Sequence, residues 1–216
     1  MTRGLVVVVV VALVAAGNAG GGRSGFGARV TNPWFPLRPG TTYVSTGVKD
    51  GKAARDVTHV TARVTTIAGA PGAVVEDRLF LDGMLEERTI DWYAQDAHGT
   101  VWYFGEQTAE LDRHGHVTTT EGSWQAGVNG ARPGVFMPAH PRVGMSFRQE
   151  FAKGLAADHF RVRARIDDRV LQTVEWTPLE PGVLDHKTYA FGVGTVFELT
   201  VKGGNERLEL ISMSRR

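Results

Sequence analysis

The chain contains no cysteine. That absence removes disulfides, thiolate metal ligands and thiol nucleophiles, and with them the lipobox cysteine that carries a lipid anchor. An excess of charge is missing too: 24 Lys and Arg stand against 23 Asp and Glu, a formal net charge of +1. That balance recommends neither nucleic acid nor an anionic membrane as a partner. After position 20 no window of eleven or more residues carries a 3.6-residue apolar stripe, so helices are not expected. A phosphate-cradling loop is also lacking, because Gly192-Val193-Gly194 follows an expected strand and opens no helix. No motif implies a cofactor. Arginine outnumbers lysine by 19 to 5, which, with the wealth of Ala, Gly and Val, fits the coding bias of a GC-rich bacterium.

What is present begins with Thr2 and Arg3, an apolar run from Leu5 to Ala16, and the small residues Gly17, Asn18 and Ala19. The run is too short for a bilayer, which takes about 20 residues. Gly17 and Ala19 give the small-x-small pattern of signal peptidase before Gly20, and Val14 and Ala16 offer a second cut. Residues 1–19 are therefore expected to be a cleaved signal peptide, with an uncleaved anchor as the alternative. The product would be secreted or extracytoplasmic, with no stable membrane anchor. Residues 20–31 (GGGRSGFGARVT) suggest a flexible Gly-rich tether. Residues 32–216 suggest one β domain, large enough to bury a core without staples.

Strand signals recur at short intervals over Thr41–Thr46, Asp56–Ile67, Val74–Leu81, Glu86–Ala94, Val101–Gly105, Ser123–Ala126, Ser146–Phe151, His159–Ile166, Val170–Trp176, Leu184–Ala190, Thr195–Lys202 and Arg207–Ser212. Turn chemistry separates them, as at Lys49-Asp50-Gly51-Lys52 and Gly203-Gly204-Asn205. In the last hairpin Phe197, Leu199 and Val201 alternate with Glu198, Thr200 and Lys202, and Leu208 and Leu210 are expected to continue the apolar face. One buried and one wet face is the antiparallel habit. The fold class is thus all-β: an antiparallel meander curling into a barrel or half-barrel, lipocalin-like or lipid-carrier-like, with a two-sheet sandwich as the alternative. Residues 127–145 break the rhythm with four glycines and three prolines and are expected to form a long rim loop or lid.

The densest polar and aromatic cluster is DWYAQD (91–96) followed by VWYFGE (101–106). In a hairpin turning near Asp96–Gly99, Asp91, Tyr93 and Gln95 share one face and Trp92 and Ala94 the other. Asp91, Tyr93, Tyr103 and Glu106 would then line a pocket in which a buried carboxyl can act as acid or base. The simpler account makes the aromatics core and lets the polar groups satisfy one another. His114 and His116 could share a metal with His140 or Glu121, but Asp112-Arg113-His114-Gly115 is more simply an exposed turn, and no metal site is assigned. Ser123 lacks the second glycine and the strand-turn-helix context of a nucleophile elbow. Arg148, Glu150, Glu175, Glu180 and His186 complete the polar candidates, with Arg148 and Glu150 on one strand face.

Several segments carry a resemblance: NPWFPL (32–37), DWYAQD, VWYFGE, EGSWQAG (121–127), PGVFMPAHP (133–141), RQE (148–150), PLEPGV (178–183) and HKTYAFGVG (186–194). Together they resemble a family of uncharacterised secreted proteins and lipoproteins common in actinobacteria. Two departures stand out. Lipidated members carry a cysteine after the signal, and the stretch from Asp158 to Thr173 is shorter than the family pattern. The FPLxxG opening and the YAxGVG near the end are also similar to periplasmic half-barrel, lipid-carrier-like proteins. The resemblance implies fold and compartment and brings no activity with it.

The expected function is a secreted barrel-like protein that binds a small apolar or amphipathic molecule in an aromatic-lined cavity. Asp91, Tyr93, Tyr103, Glu106, Glu121, Trp124, Met137 and Arg148 are the candidate ligand-binding residues. No catalytic residue is assigned. A second reading is a cavity enzyme, a hydrolase or cyclase using carboxylate or tyrosine acid-base chemistry. A third is a cell-envelope interaction protein without a pocket.

Overall fold

A computed structural model of the chain describes residues 25–216; the expected signal peptide over 1–19 lies outside the described residues. Among them there is no helix. The first half of the chain supplies β1 (Phe26–Gly27), β2 (Thr41–Lys49), β3 (Lys52–Ile67), β4 (Ala70–Leu81), β5 (Met84–Asp96), β6 (Val101–Leu111), β7 (Val117–Thr119) and β8 (Trp124–Gln125). The second half supplies β9 (Arg132–Met137), β10 (Ser146–Arg148), β11 (Glu150–Phe151), β12 (His159–Arg165), β13 (Val170–Trp176), β14 (Leu184–Ala190), β15 (Gly194–Lys202) and β16 (Arg207–Arg215). Sequential antiparallel pairing from β2 to β6 and from β12 to β16 builds two meanders, and β16 joins them by pairing with β2.

The sheet is a nearly closed barrel, and one short stretch of chain brings its two ends together. β10 pairs with β12 and β11 pairs with β9, and only Gln149 separates β10 from β11. Gly134 makes this closure possible. A Cβ there would sit 2.2 Å from the Gln149 carbonyl oxygen and 2.5 Å from that of Arg148, so only glycine admits the neighbouring backbone. A gap remains on the opposite side. β15 and β16 pair only from Phe197 to Leu199, while residues 210–215 of β16 bond to β2 alone.

The all-β barrel expectation is met, and the strands fall close to where turn chemistry placed them. Residues 127–145 do not form a lid. β9 lies within them and is a wall strand paired with β6 and β11; its Pro133 and Gly134 hide the alternation that marks longer strands. The tether expected over 20–31 also differs from Phe26 onward. β1 pairs with the end of β5, and the Phe26 ring meets Trp102 and Phe104 edge-on at 5.9 and 5.2 Å. Trp102 and Phe104 lie on the outer face of β6, so this glycine-rich segment serves as a cover for an apolar patch. Val30 is buried and bridges to Leu37.

The segment from Val30 to Leu37 straps one mouth of the barrel. Asn32, 2% exposed, donates from its side-chain amide to the carbonyls of Gly99 and Pro138 at 2.9 and 3.0 Å, and accepts from the Trp34 N–H at 2.9 Å. Across the same mouth the Gly192 N–H donates to the Pro33 carbonyl and the Tyr43 hydroxyl to that of Pro36. The strap thus joins the β5–β6 turn to the β14–β15 turn. Phe35 hangs beneath it into the lumen, against Phe136 at 4.4 Å and Tyr93 at 5.2 Å between ring centroids.

Candidate functional site

Below the strap lies a cavity of about 360 Å³. Its upper wall is aromatic, with Phe35, Tyr43, Tyr93, Tyr103 and Phe136. Its floor is apolar, where Leu208 lines it and packs with Ala54, Leu79 and Leu81. Between them runs a belt of eight carboxylic side chains on many different strands: Asp56 on β3, Asp77 on β4, Asp91 on β5, Glu106 on β6, Glu150 on β11, Glu175 on β13 and Glu198 on β15, with Asp158 at the solvent edge. Among the described residues, Lys187 of β14 is the one basic side chain that lines it.

The local backbone explains part of this collection. On β5, Asp91 and Tyr93 point inward by simple alternation. On β6, alternation from Tyr103 would turn Glu106 outward. Gly105 breaks it with φ +129°, and the register shifts so that Trp92 faces Gly105 while Tyr93 faces Tyr103. This bulge returns Glu106 to the lumen, directly across from Asp91. A Cβ on Gly105 would also lie 2.3 Å from the Trp124 carbonyl oxygen. The two tyrosine rings stack at 4.8 Å, and the Tyr103 hydroxyl donates to Asp91 at 2.6 Å.

Burial governs the electrostatics. It lifts Asp91 to about 7, against the downward pull of the Tyr103 hydrogen bond. Burial and then the charge of Asp91 push Glu106 to about 9. Burial, the charge of Asp77 and a hydrogen bond shared with the Asp77 carboxyl push Asp56 to about 9, and no N–H or hydroxyl reaches its enclosed Oδ1. Burial and Asp158 take Glu150 to about 7. Near neutrality Asp56 and Glu106 therefore keep their protons while Asp91 and Glu150 titrate. Lys187 behaves in the opposite sense. Burial pulls its ammonium down, but Glu175 and Glu198 at 3.4 and 3.5 Å more than compensate. Glu175 is further held by the hydroxyls of Thr173 at 2.8 Å and Tyr189 at 3.2 Å, a satisfied network around the Lys187 ammonium and its two carboxylate partners.

No protein-family model and no curated protein matches the chain. Among solved structures it is similar to a Bacteroides fragilis protein with a YmcC-like fold, at 13% identity and a TM-score of 0.46, over 86% of this chain and 100% of that one.

Of the candidate residues, Asp91, Tyr93, Tyr103 and Glu106 meet on the cavity wall. Glu150 and Glu175, from the remaining polar candidates, line it too, whereas the other four ligand-binding candidates do not. Glu121 is exposed in a turn. Met137 is fully buried core. Arg148 lies over the Phe151 ring at 4.4 Å and donates to the Glu150 carbonyl at 2.6 Å. Trp124 packs behind Tyr103 at 5.6 Å. Ser123 clasps the backbone of Thr108 through both its donor and its acceptor. His114 and His116 stay exposed, and no group of three potential metal ligands occurs among the described residues.

Asp56, Asp77, Lys187 and Glu198 line the cavity without having been singled out in the sequence. Two of them carried a signal: Asp56 shares its parity with Ala54 and Val60, and Asp77 with Val75 and Leu79, so each is a carboxylate on an apolar face. Glu198 was assigned to the wet outer face with Thr200, and the structure reverses that assignment. Glu198 sits opposite Leu208 on the inner face, whereas Phe197 is covered from outside by Arg207 at 5.2 Å. A polar lumen inverts the usual correspondence between apolar and inward.

Proposed function

We propose that this chain is an extracytoplasmic binding protein that holds a small amphipathic molecule in the lumen of its barrel. The observation that carries this reading is the cavity of about 360 Å³, aromatic at its strapped end and lined by ionisable groups at its waist. Ligand pockets span about 300–1,000 Å³ and combine apolar walls with a few convergent polar groups. The apolar run over Leu5–Ala16 supports the compartment. The test is native mass spectrometry of the purified chain, followed by extraction of what co-purifies and by a crystal structure. A bound molecule between Phe35 and the carboxyl belt is expected. A lumen that collapses onto itself and takes up no small molecule overturns the reading.

A second reading rests on a separate observation. Asp91 at about 7, bonded to Tyr103 and facing Glu106, has the near-neutral poise that general acid-base chemistry uses. A screen for turnover of esters and glycosides would support it if Asp91→Asn abolishes the rate and Glu106→Gln alters its pH profile. Turnover that survives both substitutions excludes it.

A further inference from the structure

We infer that the ligand held in the barrel cavity carries a cationic amine, whose ammonium sits in the carboxyl belt while its apolar part lies against Phe35, Phe136 and Tyr93. The inference rests on the proposed binding function and names the ligand class for that site.

Four observations bear on it. The first is the imbalance of the lining: eight carboxylic side chains face one lysine, and that lysine is already paired with Glu175 and Glu198. Hydroxyls of Tyr43, Ser45, Thr58, Tyr93 and Thr195 also line the cavity, so the imbalance is one of charge: an ammonium brings a positive charge with its three donors, which a neutral hydroxylated ligand does not. The second is the Asp56–Asp77 carboxyl pair on the cavity wall: the enclosed Oδ1 of Asp56 meets no N–H or hydroxyl, and the side chain that bonds this carboxyl is Asp77, so the pair holds a proton that a cationic donor can replace.

The third lies behind the wall. Trp124 is 5% exposed and its indole N–H has no hydrogen-bond partner, although it faces the carboxyl of Glu150. A cation that ionises Glu150 turns that carboxyl into the stronger acceptor this N–H lacks. The fourth is the aromatic wall. The stacked Tyr93 and Tyr103 and the adjoining Phe35 and Phe136 offer π faces that attract a cation as well as an alkyl or aryl group. β15 and β16 pair only from Phe197 to Leu199, and Pro36 and residues Val193–Val196 bound the cavity beside the unpaired stretch.

The experiment is isothermal titration of the purified full chain at pH 8 with three probes of equal tail length: n-octylammonium, 1-octanol and octyl glucoside. The ammonium is expected to bind at least tenfold more tightly than either neutral probe. In Asp91→Asn and in Glu150→Gln, the two belt groups that ionise near neutrality, the ratio of ammonium to alcohol affinity should fall by about tenfold, the worth of one charged hydrogen bond. Both variants remove a buried ionisable group, and octanol binding reports that the cavity is intact. A neutral probe that binds as tightly as the ammonium, or a ratio unchanged in both variants, overturns the amine assignment and leaves the binding function standing. If no probe binds at all, the binding function itself falls.

Discussion

Removing the charge of Asp91 should stabilise this protein, and do so only at high pH. Asp91 is 9% exposed and rises from its ordinary 3.8 to about 7 in the folded chain. At about 1.4 kcal/mol per pH unit, ionising it inside the barrel costs about 4 kcal/mol. The direction follows from proton uptake. The folded state binds the proton more tightly than the unfolded state, so Asp91's contribution is fully present below about pH 4. It is lost as pH rises through about 7 and is gone above that. Asparagine keeps an oxygen that can accept the 2.6 Å hydrogen bond from Tyr103 but cannot ionise. Asp91→Asn should therefore match the parent within about 1 kcal/mol at pH 4 and exceed it by about 2–4 kcal/mol at pH 8.5. Urea unfolding followed by tryptophan fluorescence, at fixed ionic strength and three pH values, measures the difference. Equal pH dependence in the two proteins, or a variant less stable than the parent at pH 8.5, refutes the argument.

Three further outcomes follow from the same geometry. Lys187→Met leaves Glu175 and Glu198 without their ammonium and should cost about 3–5 kcal/mol at pH 8, with a smaller loss at pH 5 where Glu198 can take up a proton, as the same denaturation series would report. Gly134→Ala places a methyl 2.2 Å from the Gln149 carbonyl; separating β9 from the closing strand should lower stability by about 3 kcal/mol or more, seen as a drop in melting temperature. Asn32→Ala removes both donors to Gly99 and Pro138 and the acceptor for Trp34. Amide exchange at Trp34, Phe35 and Leu37 should accelerate at least tenfold while the β3–β4 hairpin keeps its protection, and uniform acceleration would contradict a local strap.

The polar lumen ties these outcomes together. A barrel of this length could fill its interior with aliphatic side chains, yet on many strands one inward position is given to a carboxyl group. Asp91 and Glu106 stand directly opposite one another, an arrangement that ordinarily destabilises a sheet. Such a cost persists where a site needs the groups, and perturbed carboxyls gathered around a cavity are a mark of function.

Much of this protein was written in its sequence. Strand periodicity, Asp/Asn/Gly turns and the lack of a helical stripe determined an antiparallel barrel, because period-two patterning and turn geometry act between residues close along the chain. The same locality placed Asp91, Tyr93 and Tyr103 on one face of one hairpin. Tertiary structure decided the rest. A bulge at Gly105, recognisable only against the facing strand and Trp124, turned Glu106 inward. Residues 132–137 became a wall strand because Gly134 meets the backbone of residues 148–149, far along the chain. Glu198 and Asp56 became cavity groups because closure of the sheet decides which face is the inside, and a single strand's alternation names two faces without saying which one the barrel encloses.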